Sequence, residues 1–329
     1  MSQPSNLQPC VSVVTPVYNG EKYLAHCIES VLAQTYQNFD YLIVNNCSTD
    51  GTLEVAQRYA ALDPRIRVQS NPELLNVVDS HNKAFSVAPA ENKYIKIVGA
   101  DDWLFPNCLA EMVKLAEEHP TVAMVASYVL VGTRIGWDGL PYPSTFVKGR
   151  DICRMRLLDR ILVFGGPSAS LLRTNAVQTG QPFYQPGNYH GDNTAYLHLL
   201  RDHDFGFVHQ VLSYNRRGED SRTTHYLQSF NSNLLMVIEE LVMFGPTYLT
   251  ESELKQRLSE EIDTYYKFLA RSVFDFRDKK FWDTHRERLK KIDMPLDRVR
   301  LSRAVVAHVF DLVLNPKRTI ENIFKRLSD

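Results

Sequence analysis

Two aspartates stand side by side at Asp101 and Asp102, in the stretch YIKIVGADDWLFPNCL from Tyr94 to Leu109. Tyr94 to Val98 is short, apolar and rich in β-branched residues, which predicts a buried strand. Pro106 suits the first turn of a following helix. Adjacent carboxylates at a strand exit repel one another, so the arrangement asks for a cation. Hard divalent ions such as Mg²⁺ and Mn²⁺ prefer oxygen ligands and commonly share them between one or two carboxylates and phosphate groups. The competing reading is an Asx-turn ahead of the Pro106 helix.

The elements that would position this pair alternate strand and helix. CVSVVTPVYN predicts a strand ending in a Pro/Asn loop, and GEKYLAHCIESVLAQT has apolar residues at helical spacing. FDYLIVNN is a second strand. CSTDGTLEVAQRYAAL opens with the cap candidates Ser48, Thr49 and Asp50 and continues as a helix. IRVQSN, VVDSHNKAFSVA, the strand at Tyr94, a helix from Pro106 to Glu118 and a strand from Val122 to Val131 follow. This order predicts a mainly parallel, three-layer α/β sheet with right-handed connections. Ligands of such sheets bind beyond the carboxyl ends of the strands. Three polar loops belong there: TPVYNG, NNCSTDG and GADDW. No GxGxxG follows the first strand, so the usual dinucleotide fingerprint is absent.

Composition sets the outer bounds. The chain has 329 residues, 44% hydrophobic and 23% charged, as expected of a globular protein with a substantial core. A net charge of −1 gives no global reason to bind nucleic acid. Residues 277–329 hold 14 Lys/Arg against 8 Asp/Glu, a local excess of +6. The five cysteines show no metal spacing, which fits free thiols in a reducing compartment. The N-terminus lacks the pattern of a signal peptide. The longest apolar stretch, from Val122, is shorter than the ~20 residues that span a bilayer. A cytoplasmic location is expected.

VSVVTPVYNGEKYLAHCIESVLAQTYQNFDYLIVNNCSTDGT followed by YIKIVGADDWLFPNCLAEMV resembles the inverting nucleotide-sugar glycosyltransferases of family 2, which have the GT-A fold. The resemblance is close from residue 11 to about 131 and looser to about 217. It implies a GT-A domain over residues 1–225, with a nucleotide-sugar half at 1–131 and an acceptor half at 132–225. Residues 226–329 form a helical extension. It implies further that Thr15, Pro16 and Tyr18 line the nucleoside pocket, that Asp101 lies against the ribose, and that Asp102 binds the Mn²⁺ or Mg²⁺ that bridges the donor diphosphate.

The sequence departs from the family at several positions. The second loop commonly reads D-D-G-S and here reads Asn45-Asn46-Cys47-Ser48. A carboxylate there accepts the uracil N–H, whereas an amide can accept or donate, so the donor base is open. Gly99 stands where the family often has another Asp, and His81 where a basic residue often precedes the Asn82 equivalent. His81 and Lys83 also read as a solvated helix face.

In the second half, FGGPSASLLRTNAV predicts a turn, an apolar strand and a polar turn. YQPGNYHGDNTAYLHLLRD then predicts a loop and a helix. By resemblance Asp192 is the base that takes the proton of the acceptor hydroxyl. Its alternative is the N-cap of that helix. His190 is a neighbouring candidate. Arg217 fits the family's diphosphate arginine. The expected histidine position is Gly218, with His225 as a possible substitute and an ordinary loop histidine as the plainer reading.

From about residue 226 apolar residues recur at helical spacing. RVRLSRAVVAHVFDLVL joins a basic start to a wide apolar face. It suits either an anionic membrane surface, where each Lys/Arg contributes about 1 kcal/mol, or a packing helix. Oligomerisation is a further use of such a tail. The expected function is a metal-dependent inverting glycosyltransferase in surface polysaccharide or glycolipid synthesis. Its partners are a nucleoside-diphosphate sugar and a saccharide or lipid-linked acceptor. The alternatives are a non-catalytic nucleotide-sugar sensor or scaffold of the same fold, or a sugar-phosphate nucleotidyltransferase. The latter would carry a Gly-rich, basic loop after the first strand, where TPVYNGEKYL has one Gly and no Arg.

Overall fold

The computed structural model of the protein describes residues 8–179, 182–185, 191–216, 233–275 and 277–314. The chain divides into two compact units, Met1–Arg217 and Gly218–Asp329. The expected boundary at 225/226 lies outside the described residues.

The first unit begins with β1 (Val11–Val17), α1 (Glu21–Leu32), β2 (Phe39–Asn45), α2 (Thr52–Leu62), β3 (Ile66–Ser70), α3 (Val77–Val87) and β4 (Tyr94–Ile97). All seven residues of β1 are buried, because helices cover both faces of a central parallel strand. α1 buries Leu24, Cys27, Ile28 and Val31, spaced three and four apart, against that sheet. Then follow β5 (Trp103–Leu104), α4 (Cys108–Glu118), β6 (Val122–Val131), β7 (Arg134–Gly136), β8 (Phe146–Val147) and α5 (Gly149–Asp159). A single 3₁₀ turn (Pro167–Ala169), β9 (Ser170–Arg173), α6 (Thr174–Gln178), α7 (Gly191–Leu199) and β10 (Asp204–Asn215) complete the unit.

The strands form one sheet in the order β3-β2-β1-β4-β9-β6-β10-β5, with β7 on β6 and β8 on β10. The expected parallel pairing holds through β3, β2, β1 and β4. β6 and β10 are also parallel. β9 is antiparallel to both β4 and β6, so the sheet is mixed where it passes from the first half to the second. β5, a strand of two residues, leaves no periodic signal in the sequence. Its pairing with β10 delays the helix, which starts at Cys108 rather than Pro106.

The second unit is helical: α8 (Asn233–Tyr248), α9 (Glu251–Phe274), α10 (Lys279–Lys291) and α11 (Arg298–Leu314). α9 opens with a capping box, in which Thr250 accepts from the Glu253 N–H and the Glu253 carboxylate accepts from the Thr250 N–H. Leu235, Ile238, Tyr265, Leu269, Phe281 and Leu289 make its core. α11 packs one side on that core through Leu301 and Ala304. Val299, Val306, Phe310 and Val313 remain exposed on it. Among the described residues no helix is long and apolar enough to cross a membrane. None of the five cysteines is in a disulfide.

A tight join at the start of α5 holds the far end of β10. The Asp204 carboxylate accepts from Thr121 Oγ1 at 2.6 Å, Lys148 Nζ at 3.0 Å and the Gly149 N–H at 3.2 Å. Burial works to raise its pKa, but these hydrogen bonds outweigh burial and hold it below the usual carboxylate value. A Cβ on Gly149 would lie 1.8 Å from the His203 carbonyl oxygen and 2.2 Å from that of Leu200. Both obstacles are backbone, so neither can rotate away. Gly149→Ala is therefore expected to lower the unfolding free energy by about 3 kcal/mol or more, beyond ordinary overpacking. Urea unfolding followed by circular dichroism measures it, and a loss below about 1 kcal/mol would contradict this packing.

Candidate active site

The three polar loops meet at the carboxyl edge of the parallel strands. Parallel pairing sets Val17 beside Asn45, so β1 and β2 end together, and sets Ile97 beside Val14, so β4 ends three residues earlier and its loop starts lower on the same edge. Side chains then stitch the first loop to the second. The Asn19 N–H donates to Ser48 Oγ at 3.0 Å, the Thr49 N–H to Asn19 Oδ1 at 2.8 Å, and the Gly20 N–H to Thr52 Oγ1 at 2.8 Å. Asn19 takes a left-handed φ of 51° to make this turn. The cap candidates serve the same seam. Ser48 accepts from Asn19 as above, Asp50 accepts from the N–H of Glu21 and of Thr52, and the N-cap of α2 itself is Gly51.

Asp102 is the centre of the third loop. It is 8% exposed. Its Oδ2 accepts from Ser168 Oγ at 2.6 Å and from Asn215 Nδ2 at 2.8 Å, and its Oδ1 accepts from the Arg216 N–H at 3.1 Å. Burial pushes its pKa up to about 7, the Asp101 charge adds to the rise, and the Ser168 and Arg216 hydrogen bonds oppose it. Asp101 turns outward, with a side chain 41% exposed, and meets the Arg216 guanidinium at 3.3 Å. That guanidinium also lies 4.2 Å from the Tyr23 ring centroid. Trp103 is sandwiched between His26 and Tyr214, with centroids 4.5 and 3.7 Å away, which fixes the strand pair β5–β10 beside the loop.

The arrangement fits a divalent cation by the chemistry of its donors. Two carboxylates stand side by side, one desolvated and the other turned outward. Among the described residues no group of three or more His, Cys, Asp or Glu forms an all-protein cage. A cation held here draws its remaining ligands from outside the chain, as Mg²⁺ and Mn²⁺ do when they bind phosphates. Gly99 belongs to the same geometry. A Cβ on it would lie 2.9 Å from Asp102 Oδ2, so this carboxylate occupies space that a side chain at position 99 would take.

The other expected site residues divide into two groups. Thr15 is fully buried and its hydroxyl pairs with the Tyr41 hydroxyl at 2.9 Å, so its side chain belongs to the core and only its backbone lies near the loop edge. Pro16 is buried too, while Tyr18 is half-buried on the loop itself. Asn46 is committed to the backbone of Leu75 in both directions: its Nδ2 donates to the Leu75 carbonyl at 2.8 Å, and its Oδ1 accepts the Leu75 N–H at 2.9 Å. That Oδ1 also accepts from Asn71 at 2.9 Å. Asn45 accepts from the Ser48 N–H at 3.1 Å and donates to Ser70 at 3.2 Å. Both amides hold loops together. His81 is half-buried, its Nδ1 pairs with the Val77 carbonyl at 2.8 Å, and burial lowers its pKa.

Asp192 is the second residue of α7 rather than its N-cap, because the helix already includes Gly191. Its Oδ1 accepts from the Asn193 N–H at 2.9 Å. Burial raises its pKa, and the Asn193 N–H and Arg156 charge only partly oppose that. Asp192 in turn raises the pKa of Tyr196, one turn along the same helix, after burial as the main cause. Tyr196 pairs with Ser170 at 3.1 Å, two residues after the serine that holds Asp102. One 3₁₀ turn thus links the surroundings of the two carboxylates.

Arg217, Gly218, His190 and His225 lie outside the described residues. The arginine found at the site is Arg216, its neighbour. Spacing alone could not separate the two, although the strand SYN before them pointed to this place. Asn215 follows from the same strand end. Ser168 gave no signal, being 66 residues from Asp102 in an unremarkable turn.

The sequence profile described as Glycosyl transferase family 2 matches residues 12–180. EpsE, a glycosyltransferase of Bacillus subtilis, is 34% identical over 162 residues, which cover 47% of this chain and 58% of EpsE. GlyG, a glycosyltransferase of Streptococcus pneumoniae, is 26% identical over 71% of this chain and 70% of its own length. Among solved structures, Staphylococcus aureus TarS 1–349 in complex with UDP-GlcNAc superimposes with a TM-score of 0.61 at 17% identity, covering 96% of this chain and 91% of that one. The mannosyltransferase PcManGT of Pyrobaculum calidifontis, in complex with GDP-Man and Mn²⁺, gives 0.56 at 15% identity, covering 95% and 83%. At such identities these structures speak for the fold alone. The GT-A architecture expected from the sequence is the one observed. The profile match takes in all three loops, the aspartate pair and the turn at Ser168, and by it the chain belongs to glycosyl transferase family 2.

Proposed function

We propose that the chain is a metal-dependent inverting glycosyltransferase. It moves a sugar from a nucleoside-diphosphate sugar to an acceptor hydroxyl, in the assembly of a bacterial surface polysaccharide or glycolipid. The observation that carries this reading is Asp102, a desolvated carboxylate gripped by three donors beside a second, outward-facing one. The relatives are named as glycosyltransferases, and neighbouring structures hold UDP-GlcNAc or GDP-Man with Mn²⁺.

Asp102 would hold the cation, with Asp101 beside it against the ribose. A bound Mn²⁺ or Mg²⁺ supplies positive charge at the diphosphate oxygens as the nucleotide departs. The Arg216 guanidinium, parked on Asp101, is placed to add a second cation to the same oxygens, and its planar fork suits phosphate. The first two loops enclose the nucleoside, with Tyr18 on their surface. Asp192 takes the proton of the acceptor hydroxyl. A base is most useful with a pKa nearer the working pH, and burial moves Asp192 in that direction. Attack from the side opposite the nucleotide inverts the anomeric centre.

Transfer from UDP- and GDP-sugars, measured with Mn²⁺ and with a chelator, tests the reading. Turnover that persists unchanged in chelator would remove the metal from it. Binding of an unhydrolysed donor, with no transfer across a broad acceptor screen, would favour the sensor.

Asp192→Asn is expected to leave donor binding nearly unchanged and to cut transfer by about 10²–10⁴-fold. The folded pKa of Asp192 is raised, so its ionised form is a penalty to folding. That penalty sets in as pH rises above the unfolded value of about 3.9 and is complete above the folded one. The asparagine variant should therefore melt no lower than wild type at pH 7.5, and slightly higher. The wild-type rate should fall on its acid side at a pH above the ordinary carboxylate range. Transfer near wild-type by Asp192→Asn would refute the assignment.

Asn46→Asp removes the donor to the Leu75 carbonyl and leaves that oxygen unpaired, a loss of about 1–3 kcal/mol at the loop. Because Asn46 is engaged with backbone, affinities for UDP, GDP, CDP and dTDP should all fall together. Calorimetric titration of the four nucleotides measures this, and a selective change for one base would make Asn46 a base reader.

A further inference from the structure

We propose that Ser168 is a positioning residue for the Asp102 carboxylate, clamped from behind by the buried Lys96 and given room by Gly99. This deepens the metal-dependent reading above and rests on it. Ser168 is 2% exposed and its side chain serves both ends of the Asp102 loop. Its Oγ accepts the Gly99 N–H at 2.9 Å and donates to Asp102 Oδ2 at 2.6 Å. The loop cannot open at Gly99, nor the carboxylate rotate, without breaking one of these. Serine can do both because a hydroxyl donates one hydrogen and accepts at its lone pairs.

Lys96 explains why the turn itself stays in place. It lies on β4 with 0% exposure, in a strand otherwise made of apolar residues. Its Nζ donates to the Ser168 carbonyl oxygen at 2.8 Å, with Met112 Sδ next at 3.7 Å. A lysine buried in a sheet core is a large desolvation cost, met here by the Ser168 carbonyl together with the Met112 and Cys108 sulfurs. An apolar residue would fill the position at no such cost. The ammonium is thus spent on the backbone of the one turn that grips Asp102. Gly99 completes the set, since any Cβ there would lie 2.9 Å from Asp102 Oδ2 and push it off Ser168. The consequence is a fixed rotamer, with Oδ2 turned inward and Oδ1 accepting, among the described residues, from the Arg216 N–H. Groups that orient a ligating carboxylate in this way commonly carry a 10–100-fold share of metal affinity.

The test uses the full chain with Mn²⁺ and a nucleoside diphosphate, UDP or GDP, whichever stabilises wild type. Mn²⁺ affinity in the presence of nucleotide is measured by calorimetry, beside the melting temperature without ligand. Ser168→Ala is expected to weaken Mn²⁺ by about tenfold or more, while nucleotide binding in chelator is unchanged. Transfer by Ser168→Ala should be lost at low Mn²⁺ and recovered as Mn²⁺ is raised, which a merely structural defect would not do. Lys96→Met keeps the shape and removes the charge. It should melt at or above wild type, as replacement of buried charge by an apolar isostere often does, and weaken Mn²⁺ in the same direction by about threefold. Wild-type Mn²⁺ affinity in Ser168→Ala, or in Lys96→Met should the first variant fail to fold, overturns the proposal. Absence of any Mn²⁺ effect in wild type overturns the metal-dependent reading instead, and the proposal falls with it.

Discussion

The constraint on which the rest of the site depends is the removal of one carboxylate, Asp102, from water. A desolvated anion must be met by donors, and here they come from three separate parts of the chain: the turn at Ser168, the Asn215 side chain and the backbone of Arg216. Each of those contacts dictates architecture. Ser168 sits just ahead of β9, which returns antiparallel between β4 and β6 and so brings that turn to the Asp102 loop. Asn215 and Arg216 require β10 to end level with the Asp102 loop. The β5–β10 pair and the Trp103 stack secure that ending.

The first half of the domain solves a different problem. Its central strands β1, β2 and β4 are almost wholly buried, so apart from Lys96 and a few hydroxyls they carry mainly apolar side chains, while the edge strand β3 is partly exposed. Most of the polar chemistry lies at the carboxyl edge, where backbone groups leave the ladder. The amides and hydroxyls of Asn19, Ser48, Thr49, Asn45 and Asn46 satisfy those groups and tie the loops to each other. A pocket wall made this way is rigid before a ligand arrives, which lowers the ordering cost of binding.

Asp192 shows how function and stability pull apart at such a site. Its burial penalises the ionised form that a base needs, and the local hydrogen bond and Arg156 charge compensate only in part. The same trade is visible at Lys96, a buried cation whose hydrogen bond goes to a turn rather than to a carboxylate. Both are features that a chain selected for stability alone would replace with apolar residues.

The sequence by itself determined the alternation of strand and helix, the burial of the strand at Tyr94, the three-loop edge and the Asp101–Asp102 pair. Those features are local: periodicity, turn residues and adjacent charges are written in consecutive positions. It could not determine that Thr15 turns into the core, that Asn46 is engaged with Leu75, or that Asp192 stands inside its helix rather than capping it. Side-chain direction at a strand end and the first turn of a helix depends on what packs against it. Nor could it show that Arg216 pairs with Asp101, since that contact joins residues far apart in the chain. Only the tertiary structure brought Ser168, Lys96, Gly99 and Asn215 around one carboxylate. Hydrogen bonds between residues 66 and 113 positions apart from Asp102 leave no pattern in a linear sequence, because folding, not spacing, makes them neighbours.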